Sequence, residues 1–526
     1  MHGMVFSELT PVAFAARAAK VFADRLAVVD GDLRYSYAEL WERAQALAGV
    51  LAGHGVRPGD RVAVLAPNTH VLLEAHYGVP LAGAVLVALN TRLAPAEIAY
   101  ILDHSAADVV IVDATCREVL TEALKHSGVR PTVIDSGRPQ DAYESLLAGA
   151  TPRAVAVTDE RSLLSINYTS GTTGRPKGVM YHHRGAYLQA LAMAYHAKLD
   201  TSSRYLWTLP MFHTNGWCFP WAVTAAGAVH HCLRKVNPPD IWRAIRESGV
   251  THFCAAPTVL AMLADDPAAA AEVSHPVQVF VGGAPPWPAL LARMSALGIG
   301  VRHLYGLTET FGPAVVCDWQ PEWQDLPAGQ RAPLMARQGI ANIIAEPLRV
   351  VDSRGADVPA DGSTLGEILL RGNDVMLGYY RDEEATGAAV TTDGWFRSGD
   401  LGVMHPDGYV ELRDRAKDVI ISGGENIASV EVESALTEHP AVLEAAVVGA
   451  PHPKWGEVPI AYVTVRAGAS VTEAELVTFV RDRIAGFKAP RQVVFCELPR
   501  TSTGKIRKNL LRQRSSRSAI AQPPDQ

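Results

Sequence analysis

Apolar residues along the chain follow two periods. After Ser36-Tyr-Ala-Glu39, Leu40, Ala44, Leu47, Ala48 and Leu51 recur along one helical face, and Ser36 and Glu39 stand at capping-box spacing. Pro58-Gly-Asp60 then turns the chain into Arg61-Val-Ala-Val-Leu65, a short run that reads as a buried strand. Ala84–Val87 leads into a helix around Ala94–Leu102, followed by the strand-like Val109–Val112. Leu163–Ile166, Tyr205–Leu209 and Val277–Val281 repeat the rhythm. Such alternation predicts an α/β fold of mostly parallel sheets covered by helices. Past about residue 415 the elements shorten: Ser422-Gly-Gly-Glu-Asn426, a helix over Val430–Glu438, a strand over Ala461–Val465, and a helix opened by Thr472 with Glu475 in capping-box spacing.

Composition narrows the classes. A chain of 526 residues exceeds what one core supports, so two or three domains are expected. A net charge of −7 with no basic block argues against nucleic acid as a partner. The first residues do not read as a signal peptide, and the lack of a charge-free apolar stretch of about 18 residues argues against a membrane span. Cys116, Cys218, Cys232, Cys254, Cys317 and Cys496 are scattered without metal or redox spacing, as in reduced cytoplasmic proteins. The tail over 512–526, rich in Arg, Ser, Gln and Pro, is expected to be disordered.

The most informative stretch is Tyr168-Thr-Ser-Gly-Thr-Thr-Gly-Arg-Pro-Lys-Gly178. Gly171, Gly174 and Gly178 let the backbone approach a polyphosphate, Thr169, Ser170, Thr172 and Thr173 add hydroxyl donors, and Lys177 adds a compact positive charge. It is not the loop in which a lysine directly follows the last glycine and opens a helix. This stretch resembles the signature loop of the adenylate-forming superfamily of acyl-CoA synthetases, adenylation domains and luciferases. The likeness extends from about residue 25 to about residue 510 through further motifs.

The resemblance implies roles for those motifs. His213, in Pro210-Met-Phe-His-Thr-Asn-Gly-Trp217, would gate the carboxylate pocket, with Asn215, Trp217, Phe219 and Gly282 as its walls. Gly283 and Ala284 would lie against adenine, Tyr305 would stack on it beside Gly306, Thr308 would touch phosphate, and Glu309 would hold Mg²⁺. Asp400 would accept the ribose hydroxyls and Arg415 would reach the nucleotide. Lys417 marks the hinge between a large N-terminal domain (1–414) and a small mobile α+β domain (415–511). In that small domain Lys505 would bridge carboxylate and α-phosphate, and Gly423 and Gly424 would line a pantetheine tunnel.

The implied activity is that of an acid–thiol ligase using ATP, Mg²⁺ and CoA. A carboxylic acid attacks ATP to give an acyl-adenylate and pyrophosphate, then a thiol displaces AMP. Details such as Ala336-Arg-Gln-Gly339 and Pro453-Lys-Trp-Gly456 resemble the branch acting on medium-chain, aryl or methylthio-propionate acids, enzymes of fatty acid metabolism that are monomers or homodimers. Transfer to a carrier protein's phosphopantetheine or another nucleophile, a luciferase-like oxygenase, and a non-catalytic nucleotide-binding protein remain alternative readings.

Overall fold

The computed structural model describes residues 6–137, 142–169, 175–270, 273–415, 418–422, 425–453, 455–500 and 506–520. The chain divides into two compact units. The larger holds the chain through Ala336 together with Ile340–Pro347 and Leu370–Phe396; the smaller holds Arg337–Gly339, Leu348–Leu369 and the chain from Arg397 onward.

Two sheets organise the larger unit. One runs, in spatial order, Thr132–Ser136, Val109–Asp113, Arg61–Leu65, Val85–Ala88, Leu163–Tyr168 and Gly178–His182, parallel except for the last, antiparallel pair. The other is parallel from Ile299–Leu307 through Val277–Val281, His252–Ala255, Arg204–Leu206 and Val229–His231 to Leu26–Asp30, with antiparallel strands at its edges. The expected mostly parallel, helix-covered architecture is therefore present.

Local signals set the helices. Ser36 and Glu39 form the anticipated reciprocal capping box on Tyr37–Gly53. Asn237 caps Pro238–Ser248 by accepting from the Asp240 N–H at 2.9 Å, and Gly249, at φ 66°, ends it. Ile241, Trp242 and Ile245 of that helix are buried against Phe253, Val279 and Leu290, each worth roughly 1.5–3 kcal/mol of burial.

In the smaller unit, Arg349–Val351, Gly366–Leu370, Phe396–Met404 and Val410–Arg415 form one sheet. A second contains Val442–His452 and Gly456–Val465, packed against Ser429–Thr437 and the Thr472-capped Glu473–Arg481. The tail departs from expectation. Lys508–Ile520 is helical, with Leu511 fully buried and Ser515 hydrogen-bonded to the Tyr462 hydroxyl at 2.8 Å. Disorder is thus corrected as far as Ile520. The helix carries too few apolar residues to announce itself and is held by long-range contacts, including Lys508 to Glu433 at 2.6 Å.

Candidate active site

The signature loop is closed at its base by its own strands. Leu163–Tyr168 and Gly178–His182 pair antiparallel with Tyr168 opposite Gly178. The Thr169 N–H donates to the Lys177 carbonyl at 2.9 Å, and the Lys177 N–H to Thr169 Oγ1 at 3.3 Å. A Cβ on Gly178 would lie 2.8 Å from Ile166, so a larger residue there would have to displace the neighbouring side chains. Ser170, Gly171, Thr172, Thr173 and Gly174 lie outside the described residues. On the far edge of the second strand, Leu377 and Tyr380 donate backbone hydrogen bonds to Met180 at 3.0 Å and Gly178 at 2.7 Å.

That edge segment joins the loop lysine to the predicted metal carboxylate. The Tyr379 hydroxyl donates to Glu309 Oε1 at 2.8 Å, and Lys177 Nζ lies 4.6 Å from the centre of the Tyr379 ring. Burial, and then the neighbouring Glu309 charge, push the Tyr379 phenol well above its ordinary range, so it acts as a donor. The Met376 N–H donates to the Glu309 carbonyl at 2.8 Å, the Tyr181 hydroxyl to the Thr308 carbonyl at 2.6 Å, and the Thr214 and Thr308 hydroxyls stand 3.4 Å apart. Lys177 is thereby brought beside the adjacent pair Thr308 and Glu309, which lies far from it in sequence.

Adjacent parallel strands explain the neighbouring positions. Val281 pairs with His303, so Gly282, Gly283 and Ala284 leave one strand beside the end of the strand carrying Tyr305 and Gly306. Ligands in such sheets sit outside the carboxyl ends of the strands. Gly306 permits the closest approach: a Cβ there would lie 1.9 Å from the Gly312 carbonyl oxygen.

His213 opens an unusual turn. Thr214, Asn215, Gly216, Trp217 and Cys218 all have positive φ, between 38° and 61°. For the four non-glycine residues this left-handed run costs on the order of 1–2 kcal/mol each. A buried polar network holds it. Asn215 Oδ1 accepts from Ser165 Oγ at 2.5 Å and Asn167 Nδ2 at 2.6 Å, and Asn215 Nδ2 donates to His76 Nε2 at 3.0 Å. Burial pushes His76 down to about 4, leaving a neutral ring that accepts at Nε2 and donates from Nδ1 to the Leu72 carbonyl at 2.7 Å. Asn215, a pocket wall by the resemblance, has its amide engaged in fixing the turn. Upstream, buried Asn68 donates to the carbonyls of Trp207 and Leu209 at 2.7 and 3.0 Å and accepts from the Met211 N–H at 2.8 Å, steadying the approach to His213.

Trp217 lies across two glycines: Cβ atoms on Gly282 and Gly312 would fall 2.7 and 2.9 Å from its indole. Phe219, the other expected aromatic wall, is fully buried and stacked on Tyr205 at 4.7 Å, part of the core beneath.

In the smaller unit, Asp400 and Arg415 are direct cross-strand partners of Phe396–Met404 and Val410–Arg415. Asp400 is buried, and its N–H donates to Ser398 Oγ at 3.0 Å. The Arg415 side chain, Lys417, Gly423, Gly424 and Lys505 are outside the described residues. Sequence reasoning missed Tyr379, Tyr181 and Asn68. The one available signal was a tyrosine at an alternate position of a strand edge, which does not say what its hydroxyl meets.

Comparison with known proteins agrees with this geometry. The model of the AMP-binding enzyme family matches residues 15–380, and that of the AMP-binding enzyme C-terminal domain matches 431–505. An acetate–CoA ligase of Humulus lupulus is 43% identical, covering 97% of this chain and 95% of that protein. A 4-hydroxybutyrate–CoA ligase of Metallosphaera sedula is also 43% identical, covering 98% and 96%. The crystal structure of ATP-bound MatB from Rhodopseudomonas palustris superimposes with a TM-score of 0.85 at 30% identity, over 96% of this chain and 98% of that one. This kinship over nearly the full length sets aside the oxygenase and non-catalytic readings: the chain belongs to the AMP-binding enzyme family, as an AMP-forming acid–CoA ligase.

Proposed function

We propose that this ligase activates a short aliphatic carboxylic acid, with Trp217 closing the acyl pocket. The observation that carries the reading is the indole seated against Gly282 and Gly312, the first of which the family resemblance places in the acyl pocket. The acids in two relatives' names, acetate and 4-hydroxybutyrate, suit a small pocket, although another relative is a trans-cinnamate–CoA ligase.

The chemistry requires two anions to meet, so charge must be neutralised as it moves onto pyrophosphate. Lys177 and the loop hydroxyls hold the β- and γ-phosphates, and Thr308 the α-phosphate. A divalent metal fits Glu309, whose Oε1 is held by the Tyr379 hydroxyl: Mg²⁺ suits one carboxylate completed by phosphate oxygens and water. When bound, that ion withdraws charge from the phosphates. His213 meets the acid's carboxylate, while Asp400 and Arg415, paired across their hairpin, take the ribose and nucleotide. Lys505 serves adenylation, and Gly423 and Gly424 serve thiol attack, with a turn at Lys417 between the half-reactions. CoA, rather than a carrier protein, is the acceptor. Six free cysteines suit a reducing compartment such as the cytoplasm, and no described helix is long and apolar enough to cross a membrane.

The test is a series of straight-chain acids assayed for pyrophosphate release, with and without CoA. Trp217→Gly suits the site because its φ of 55° favours glycine. Each additional methylene the variant buries should raise kcat/KM about fourfold, from ~0.8 kcal/mol per CH₂. An unchanged chain-length profile would refute the pocket assignment.

A further inference from the structure

We propose that Tyr379 is a positioning residue for ATP activation, one side chain that aims the Glu309 carboxylate at the metal and steadies Lys177 for the phosphates. The inference rests on the roles given above to Glu309 and Lys177, and extends them to a residue that no motif marks. Its hydroxyl touches Glu309 at 2.8 Å and its ring faces Lys177 at 4.6 Å, so two groups from unrelated parts of the chain share one partner. The bond to Oε1 restrains the carboxylate's rotation and leaves Oε2 for a cation, as a hydrogen-bonded carboxylate is oriented at metal sites.

The tyrosine is itself held. Its N–H donates to Thr386 Oγ1 at 2.9 Å, Tyr379 bridges Val179 across the strand edge, and Met376, three residues earlier, binds the Glu309 carbonyl at 2.8 Å. Gly378 sits at φ +142°, where an added Cβ would strike Thr386 at 2.7 Å, so this approach is available to glycine alone. The segment therefore grips Glu309 by backbone and side chain together, and Gly178, at the exit of the phosphate loop, through the Tyr380 N–H at 2.7 Å.

The two contacts separate by substitution. Tyr379→Phe keeps the ring over Lys177 and removes the hydroxyl; Tyr379→Leu removes both. The full-length variants, saturated with a non-hydrolysable ATP analogue, are titrated calorimetrically with Mg²⁺ and Mn²⁺, and KM for ATP and kcat are measured by pyrophosphate release. Tyr379→Phe should weaken divalent-ion binding about 10- to 100-fold, as loss of an outer partner of a metal ligand does, with KM for ATP little changed. Tyr379→Leu should show the same metal defect and, in addition, raise KM for ATP about two- to fivefold, the worth of an exposed cation–π contact. Glu309→Gln is the reference. If it weakens the metal and Tyr379→Phe does not, the positioning role is overturned while the metal assignment stands. If Glu309→Gln leaves the metal unaffected, the assignment of Glu309 fails first and the positioning role with it. A drop in melting temperature with unchanged metal binding would show Tyr379 to be structural only, and overturn the proposal.

Discussion

Replacing Asp374 with asparagine should stabilise this enzyme, increasingly so as pH rises. Asp374 is 1% exposed, and neither carboxylate oxygen finds a hydrogen-bond partner among the described residues. Burial lifts its carboxyl from 3.8 to about 7. Between those values the folded protein retains a proton that the unfolded chain has released, so stability falls with rising pH across that window and levels off above it. At about 1.4 kcal/mol per pH unit the full penalty approaches ~4 kcal/mol above pH 7. Asparagine keeps the shape and the unpaired polar atoms but cannot ionise. Its advantage should therefore widen by about 3 kcal/mol between pH 5 and pH 8. Urea unfolding followed by tryptophan fluorescence suits the measurement, because Trp455 is the single one of the ten tryptophans outside the larger unit, where Asp374 resides. A difference between variant and parent that is equal at the two pH values would refute the reasoning, since an uncharged side chain cannot produce the slope.

Other perturbations test other parts of the structure. Burial would lower His70, but its bonds to Asp30 at 2.7 Å and to Glu144 override this and lift it to about 9. Its stabilisation, roughly 3 kcal/mol, is complete below about pH 6.5 and lost as pH climbs through 9, so the stability gap between parent and His70→Gln should close across that range in urea titrations. Gly306→Ala should lower adenylation about 10²-fold, because a Cβ 1.9 Å from the Gly312 oxygen forces the strand end to move; a fully active variant in pyrophosphate exchange would contradict that packing. Lys505→Ala should cut adenylation by about 10² while leaving thiol attack on supplied acyl-adenylate intact, and equal losses in both half-reactions would remove its assigned role.

The sequence carried what is local. Capping boxes at Ser36 and Thr472 depend on residues three apart, and both form. The strand over Arg61–Leu65 was legible from an apolar run, and the signature loop from its composition and order. The family followed from the same kind of signal, since motifs are contiguous. Misjudged elements were those held from afar. The stretch from residue 512 reads as a polar tail because the anchors of the helix Lys508–Ile520, Tyr462 and Glu433, lie elsewhere in the chain.

Which residues meet was decided by the tertiary structure alone. Tyr379 and Glu309 are 70 positions apart, Asn215 and His76 are 139 apart, and nothing in either neighbourhood encodes the pairing. The left-handed turn from Thr214 to Cys218 contradicts local preference at four residues and persists because buried hydrogen bonds from other strands outweigh it. Local preferences are worth tenths of a kcal/mol to about 1 kcal/mol per residue, whereas burial and hydrogen bonding between distant segments supply several. Hence the chain wrote its elements and its chemistry into short words, and folding chose the partners.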